Sequence, residues 1–357
     1  MLAFDPKDGW TLFVPRATDE ERVWIGDPGD VLGEPRENLD TWLKARAGRP
    51  VAVLGAPIGN VAADADLSDR LRWKLAAVRR RKDATEIATI RKAVAATARG
   101  YARIRGELEP GVTERQVQIE LEAEFFRAGG QRTGYGTIVG FGTNAAVLHF
   151  EPSGRVLKPG EIVLIDAGAE IDGYCADVTR TYAATPEQRD LHAMLLDVQT
   201  KAVARCSPGA QWRDLHLAAC LDLARGLADL DILEGAPEGL VERDVHALFM
   251  PHGLGHMVGL GVRDGASAPP RPPETRPTLK YLRIHLPLEE GFVVTVEPGV
   301  YFIPAILNNA EHRAAHGDAV RWGRVDRMLD LGGLRIEDNV HVTAKGPENL
   351  TAAIPKV

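Results

Sequence analysis

The stretch EIVLIDAGAEIDGYCADVTRTY, residues 161–182, contains two apolar runs on either side of a turn at Asp172-Gly173. Such runs around a turn predict two antiparallel strands. Asp166 and Asp177 lie at nearly equal distances from the turn, and residues opposed in a hairpin have Cβ atoms about 4.5 to 5.5 Å apart. Two carboxylates that close repel each other unless a proton or a cation lies between them, which favours a bound metal. One solvent-facing aspartate and one turn cap form the alternative.

Two further acidic residues lie in apolar runs towards the C-terminal end. Glu297 closes VVTVE, residues 293–297, and Glu337 lies in LRIEDNV, residues 334–340. Both runs predict core strands. Because burial of an unpaired carboxylate is costly, each glutamate needs a cation, a proton or dense hydrogen bonding. A structural ion pair, such as Glu337 with Arg335, explains either residue equally well when it is taken alone.

The segment PHGLGH, residues 251–256, carries two histidines four positions apart. Pro251 and the two glycines argue against a helix, and no glutamate completes the HExxH pattern, so a zincin helix is excluded. The glycines suggest a tight backbone that brings His252 and His256 close to a bound group. A glycine-rich loop with two incidental histidines is the alternative, and His149 in VLHFEP taken alone is most simply a core histidine.

Together, four acidic residues on predicted strands and one or two histidines form an oxygen-rich set of donors. Hard or intermediate divalent ions such as Mn²⁺ and Co²⁺ accept such donors, whereas thiolate-rich zinc chemistry is not indicated. Two metals about 3.5 to 4 Å apart can hold a hydroxide at neutral pH and polarise a carbonyl. Hydrolysis is therefore the expected class of reaction.

Composition limits the classes of binding partner and the cellular compartment that we expect for this protein. The net charge is −7, and the one basic run, Arg79 to Lys82, is short, so a nucleic-acid partner is not expected. No run of residues approaches the length of a membrane span, and no charged leader precedes an apolar core, so no membrane attachment is expected. The three cysteines form neither a CxxC pair nor an even set. A cytoplasmic, reducing location fits these features best.

The chain of 357 residues is long enough for two domains. In residues 1–79, short β-like runs at Thr11–Val14 and Val51–Gly55 alternate with turn residues, which predicts a small α/β domain. From Asp83, apolar residues recur at helical spacing behind an Asp83 cap with Glu86 three residues later, so a long helix opens a second domain, residues 80–357. Further helices are predicted from near Thr113, over Glu187–Arg205 and over Trp212–Leu230.

The order of the motifs resembles that of the pita-bread metallopeptidases, the family that includes prolidase and aminopeptidase P. The motifs are DAG (166–168), DVTRTY (177–182), HGLGH (252–256), VEPG (296–299) and RIED (335–338). The resemblance begins at RRRKDATEIATIRKA, residues 79–93, and covers the whole second domain. It implies an α+β pita-bread catalytic domain behind a small N-terminal α/β domain.

The resemblance also implies the roles of individual residues. The metal ligands would be Asp166, Asp177, His256, Glu297 and Glu337, with Asp177 and Glu337 spanning two divalent ions, Mn²⁺ first and Co²⁺ or Zn²⁺ as alternatives. The bridging hydroxide would attack the scissile carbonyl, with Glu297 as proton shuttle. His149 and His252 would polarise the carbonyl or stabilise the oxyanion. Because every ligand position is filled, a non-catalytic peptide-binding protein on the same fold is the less favoured alternative.

The expected substrate is a Xaa-Pro dipeptide, since LFVPR (12–16) and VEPGVYFIPAIL (296–307) look more like prolidase. The alternative is an aminopeptidase P that acts on longer Xaa-Pro peptides. Arg283 falls where prolidases carry an arginine that clamps the dipeptide carboxylate, although alone it could be a solvated loop residue. Arg263 stands where the family usually has a substrate-binding histidine, and Gly261 stands where the family has an aspartate. The substrate specificity of this chain can therefore differ from that of other family members. Arg335 is a third candidate for substrate binding.

Two expectations rest on the resemblance alone. The N-terminal domain looks short beside those of relatives, which puts its contribution to active-site closure in doubt. Assembly as a homodimer is expected because relatives of this kind form one.

Overall fold

The structure, a computed structural model, describes residues 1–26, 32–59, 61–265, 269 and 274–357. The chain divides into two compact units, Met1–Leu71 and Arg72–Val357. The first unit contains β1 (Leu2–Asp5), β2 (Gly9–Val14), α1 (Asp19–Ile25), β3 (Glu34–Pro35) and α2 (Leu39–Lys44), while α3 (Ala65–Arg80) contains the boundary.

In the first unit, β1 and β2 form an antiparallel pair and β3 lies parallel to β2. Phe13 on β2 is buried, and its ring lies edge-on to Trp42 at 6.0 Å between centroids. The strand predicted at Thr11–Val14 is thus confirmed. The strand predicted at Val51–Gly55 is wrong, because these residues have no neighbouring strand among the described residues. Their backbone bonds go elsewhere, with the Val53 N–H donating to the Ser68 hydroxyl at 3.0 Å.

The second unit contains most of the regular structure. Its helices are α4 (Ala84–Ile104), α5 (Glu114–Arg127), α6 (Pro186–Ala204), α7 (Trp212–Asp229), α8 (Pro237–Glu242), α9 (Pro277–Lys280), α10 (Pro304–Leu307), α11 (Ala310–Ala315) and α12 (Trp322–Met328). Its strands are β4 (Arg132–Thr133), β5 (Ile138–Phe141), β6 (Val163–Asp166), β7 (Ala169–Ile171), β8 (Tyr174–Cys175), β9 (Thr179–Tyr182), β10 (Val293–Val296), β11 (Gly299–Tyr301), β12 (Gly333–Arg335), β13 (Asp338–Thr343) and β14 (Gly346–Asn349).

The long helices begin where the sequence predicts. Asp83 caps α4 by accepting the Glu86 N–H at 2.9 Å, and the Glu86 carboxylate accepts the Asp83 N–H at 2.9 Å. Thr113 caps α5 in the same reciprocal way with Gln116. The helices predicted at 187–205 and 212–230 are confirmed as α6 and α7. Among the described residues, no helix combines the length and the hydropathy needed to cross a membrane.

The central strand β6 is covered on both faces, which explains its continuous apolar run. Val163 and Ile165 belong to a core cluster with residues of α4 and α5, such as Leu121. Leu164 belongs to another core cluster with residues of α6 and α7, such as Leu195. Since successive strand residues point to opposite faces, this alternation sandwiches β6 between two helical layers and leaves Asp166 at its end.

The strands β6 and β9 form an antiparallel pair in which Asp166 faces Thr179. Backbone hydrogen bonds from Ala167 to Val178 and from Ala176 to Ala169, both 3.0 Å, keep the same register up to the turn. Asp177 therefore faces Gly168 and lies diagonal to Asp166. The two aspartates share one face of the pair, but they are not directly opposed as the sequence predicts.

The last strands repeat this arrangement. Val296 on β10 faces Asp338 on β13, and Gly299 on β11 faces Arg335 on β12. The same register places Glu297 opposite Glu337, between the two strand pairs. The two glutamates therefore meet across an antiparallel ladder, close to the end of each strand.

Candidate metal and active site

A cavity of about 950 Å³ opens in the second unit. Its lining includes all the residues that the sequence predicts as ligands, catalytic groups or substrate contacts: Asp166, Asp177, His256, Glu297, Glu337, His149, His252, Arg263, Arg283 and Arg335. Segments that are distant in sequence therefore contribute to one site.

The tightest cluster of donor atoms consists of Asp177, His256 and Glu337, whose donor atoms lie within 4.8 Å of one another. His256 Nε2 is 3.4 Å from Asp177 Oδ2 and 3.8 Å from Glu297 Oε1. Buried side chains of this kind at such distances suit one or more divalent cations.

Backbone contacts orient His256 towards the carboxylates. Its Nδ1 lies 3.0 Å from the carbonyl oxygen of Met257, which can only accept a hydrogen bond. Nδ1 therefore carries a proton, and when the ring is neutral Nε2 presents its lone pair to the cluster. Burial acts to lower the pKa of His256, but the hydrogen bond and the charge of Asp177, together with the charge of Glu297, raise it overall.

Asp166 is held by two side chains. Tyr135 donates its hydroxyl to Oδ1 at 2.6 Å, and Arg335 donates Nη2 to Oδ2 at 2.6 Å. Arg335 also donates Nη1 to the Tyr301 hydroxyl at 2.8 Å and Nε to the Thr179 hydroxyl at 3.0 Å. Its guanidinium is thus occupied within the protein and orients Asp166. The carboxylate that Arg335 bonds is that of Asp166 and not that of Glu337. Arg335 also lines the cavity, and its contact with a substrate stays a prediction.

Two threonines orient the glutamates. The Thr179 hydroxyl donates to Glu337 Oε2 at 2.6 Å. The Thr295 hydroxyl accepts the His256 N–H at 2.9 Å and donates to Glu297 Oε1 at 3.3 Å. Of the predicted ligands, Asp166, His256, Glu297 and Glu337 are each held by a hydrogen bond to their side chain, which preorganises the site.

The pKa values of three carboxyl groups in the site, Asp166, Glu297 and Glu337, are raised. Burial raises the pKa of Glu337 well above its usual range, and the charge of Asp177 adds to this shift. Burial likewise raises the pKa of Asp166 and of Glu297. Buried like charges of this kind are relieved by protons or by cations, so the donor set fits a divalent metal centre.

His252 is linked to the ligand cluster through Tyr301. Its Nδ1 lies 2.8 Å from the carbonyl oxygen of Gly253, and its Nε2 lies 3.0 Å from the Tyr301 hydroxyl. Burial lowers the pKa of His252 to about 4, so the ring is neutral at physiological pH. With Nδ1–H donating to Gly253, Nε2 accepts from Tyr301, whose hydroxyl in turn accepts from Arg335.

Three predicted residues line the cavity with exposed side chains: His149, Arg263 and Arg283. Neither arginine has an ion-pair partner in the part of the chain that the structure describes. His149 lies close enough to His252 for its charge to lower the pKa of that ring. These three side chains are available to a bound molecule.

Sequence reasoning missed the residues that orient the predicted ligands. Tyr135 lies in the glycine-broken segment before β5, and Tyr301 lies two positions after the VEPG motif. Thr179 lies inside DVTRTY, two positions after Asp177. A hydroxyl next to a candidate ligand was the available signal, but in an apolar context it is equally typical of a core residue.

The sequence profile described as Metallopeptidase family M24 matches residues 88–344. The chain belongs to this family. The M24 match covers every predicted metal ligand and confirms the resemblance to the pita-bread metallopeptidases.

Several known proteins are similar to this chain over nearly its whole length. The chain is 36% identical over 372 residues to the Xaa-Pro dipeptidase of Stenotrophomonas maltophilia, covering 99% of this chain and 80% of that protein. It is 32% identical over 372 residues to the probable Xaa-Pro aminopeptidase pepP of Talaromyces marneffei, covering 97% of this chain and 80% of that protein.

Solved structures show the fold. Aminopeptidase PepP of Pseudomonas aeruginosa has a TM-score of 0.78 at 28% identity and covers 100% of this chain and 83% of that one. Zinc-substituted aminopeptidase P of E. coli in complex with product has a TM-score of 0.78 at 26% identity, with 100% and 82% covered. The predicted α+β pita-bread fold is confirmed.

Proposed function

We propose that this M24 protein hydrolyses the peptide bond that precedes proline, with Xaa-Pro dipeptides as its preferred substrates and two divalent cations as its cofactor. The convergence of Asp177, His256 and Glu337, with donor atoms within 4.8 Å of one another, carries this proposal. Asp166 and Glu297 line the same cavity and complete a set of five ligands.

The proposed ligand set favours hard or intermediate ions. Four carboxylates and one imidazole suit Mn²⁺, Co²⁺ or Zn²⁺, with Mn²⁺ our first choice. Asp166, Asp177, His256, Glu297 and Glu337 would hold the cations. When bound, a pair of divalent cations supplies an activated water and polarises the scissile carbonyl.

The remaining steps are proposed for side chains of this chain. Glu297, whose pKa is raised by burial, accepts a proton from the attacking water and returns it to the leaving proline nitrogen. His149, whose exposed ring lies on the cavity wall, stabilises negative charge on the carbonyl oxygen. Both ring nitrogens of His252 are hydrogen-bonded within the protein, so His252 shares this role only by exchanging its bond to Tyr301 for one to the substrate. Tyr301 holds the His252 ring through its hydroxyl at 3.0 Å.

The preference for dipeptides rests on Arg263 and Arg283. Both are exposed on the cavity lining, and neither pairs with an acid among the described residues. A free guanidinium binds a carboxylate in a bidentate manner, and only a dipeptide presents its terminal carboxylate directly after the proline. The name of the Stenotrophomonas relative supports this choice.

The second candidate is an Xaa-Pro aminopeptidase that acts on longer peptides. The cavity of about 950 Å³ is larger than a dipeptide requires. The Talaromyces relative and both solved structures reported above are also named aminopeptidases.

Hydrolysis of Ala-Pro and Ala-Pro-Ala by Mn²⁺-loaded protein tests the proposal, with Ala-Ala as the control that lacks proline. We expect kcat/KM for Ala-Pro to exceed that for Ala-Pro-Ala at least about tenfold. This ratio corresponds to the free energy that one charge-assisted hydrogen bond contributes. Chelation should abolish both activities, and added Mn²⁺ should restore them. A preference for the tripeptide would favour the aminopeptidase, while no turnover of either by protein with bound metal would refute the proposal.

We also propose a cytoplasmic homodimer. The cysteines Cys175, Cys206 and Cys220 are buried and unpaired, which fits a reducing compartment. Light scattering of the protein as it elutes from a size-exclusion column tests the homodimer. A mass equal to that of one chain across micromolar concentrations would contradict the homodimer.

A further inference from the structure

Residues 259–265, which we call the arginine loop, carry Arg263 to the cavity. The Arg263 side chain is exposed, and no acid in the described parts of the chain pairs with it. Its neighbour Asp264 is the opposite case, because it is only 1% exposed and is surrounded by donors. One loop therefore combines a free cation with a fully engaged anion.

The Asp264 carboxylate closes the arginine loop on itself. Its Oδ2 accepts the Leu260 N–H at 3.1 Å, and its Oδ1 accepts the Gly265 N–H at 2.8 Å. The two backbone donors lie on opposite sides of Arg263 in the sequence. The carboxylate thus fixes both ends of the short segment that carries the arginine.

Two basic side chains that precede α4 in the sequence contact the same carboxylate. Arg79 Nε lies 2.7 Å from Asp264 Oδ1, and Lys82 Nζ lies 3.3 Å from Oδ2. The Lys82 side chain is fully buried, and Arg79 also donates to the Leu260 carbonyl oxygen. Because Asp264 already faces two cations, its charge does not neutralise Arg263.

The arginine loop is also tied to the proposed ligand His256. The Asp264 N–H donates to the Met257 carbonyl oxygen at 3.0 Å, the same oxygen that accepts from His256 Nδ1 at 3.0 Å. On the other side, the Gly261 N–H donates to the Gly173 carbonyl oxygen at 2.9 Å. These bonds set the position of the Arg263 backbone relative to the ligand cluster.

We infer that Asp264 is a positioning residue for Arg263, and that Arg263, placed in this way, is the group that selects substrates with a free carboxylate. A guanidinium on a preordered loop loses less conformational entropy when it binds an anion than one on a mobile loop. The inference rests on the proposed function. It adds that Arg263 binds the substrate carboxylate and that Asp264 fixes the position of Arg263.

The test compares kcat/KM for Ala-Pro and for Ala-Pro amide, which lacks the negative charge, in the Mn²⁺-loaded enzyme. We expect the wild type to prefer Ala-Pro about tenfold or more. Arg263→Gln should reduce this ratio to near one, mainly through KM for Ala-Pro. Asp264→Asn should lower the ratio in the same direction, and in the Arg263→Gln background it should change the ratio no further.

Two further variants separate positioning from folding. Arg79→Gln removes one partner of Asp264 at a side chain that is 43% exposed, so the protein should fold, and we expect a smaller fall in the ratio. Arg81→Gln is the matched control, because Arg81 pairs with Glu289 and does not contact the arginine loop. Its ratio should equal that of the wild type.

The outcomes distinguish this inference from the proposed function. If Asp264→Asn and Arg79→Gln lower the turnover of both substrates equally, Asp264 has only a structural role and the inference is overturned. If Arg263→Gln leaves the ratio unchanged, Arg263 is not the selecting group. If the metal-loaded wild type cleaves neither substrate, the proposed function itself fails, and the inference falls with it.

Discussion

Replacement of Glu337 by glutamine should stabilise the protein when no metal is bound. Glu337 is 2% exposed, and its donor atom lies within 4.8 Å of that of Asp177. Two unit negative charges 4.8 Å apart repel each other by about 3 kcal/mol at an effective dielectric constant of about 20. Glutamine keeps the shape and can still bond to the Thr179 hydroxyl. The gain in the free energy of unfolding is therefore on the order of 3 kcal/mol when both carboxylates are charged.

The sign of the pH dependence follows from the raised pKa of Glu337. A carboxyl group whose pKa is raised on folding destabilises the folded state increasingly as the pH rises above its unfolded value. The advantage of Glu337→Gln should consequently be small near pH 5 and should grow towards pH 9. For a domain of this size, each kcal/mol shifts Tm by about 2 to 4 °C.

Thermal unfolding with excess chelator, from pH 5 to pH 9, measures this effect. Added Mn²⁺ at one hundred times its Kd should stabilise the wild type by about 2.7 kcal/mol per site and the variant much less. Glu151→Gln is the control, since Glu151 is an exposed carboxylate on the same cavity. A lower Tm for chelated Glu337→Gln at pH 9 would refute the reasoning, because repulsion among the ligands would then not govern the site.

Three other perturbations test separate parts of the structure. Asp177→Ala should reduce turnover of Ala-Pro to the level of chelated enzyme, and bound metal measured after dialysis should fall with it. Tyr301→Phe removes the hydroxyl that bonds His252 and Arg335, so kcat should fall about tenfold with a smaller change in KM. Burial lowers the pKa of His216 to about 4, so the free energy of unfolding should fall by about 3 kcal/mol between pH 6.5 and pH 4. His216→Gln should remove that part of the acid sensitivity in urea titrations, and an unchanged pH profile would contradict it.

Sequence patterns indicated the proposed ligands more readily than the residues that surround them. Glu297 and Glu337 stand out because an acidic residue in an apolar strand requires a physical explanation, and the register places them opposite each other. Tyr135 and Arg335 could not be recognised in the same way. Their role depends on which atoms reach Asp166 across the fold, and this is decided by tertiary packing rather than by local pattern.

The register of the first strand pair shows a second limit. The turn at Asp172-Gly173 was predicted correctly, and both residues have positive φ, 51° and 81°. A two-residue turn makes Thr179 the partner of Asp166, so Asp177 is displaced by two positions. An error of two residues keeps the side chain on the same face, and for this reason the prediction of a shared site survived an inaccurate pairing.

Two glycines set how closely the main chain of one segment approaches that of another. A Cβ at Gly168 would lie 1.8 Å from the Ala176 carbonyl oxygen, and one at Gly255 would lie 2.1 Å from the Thr295 carbonyl oxygen. The segments that bear Asp166, Asp177, His256 and Glu297 therefore touch through peptide groups, with no intervening side chain. Spacing set in this way is insensitive to the size of nearby residues, so the wall of the cavity can diverge in evolution while the distances between the donors stay constant.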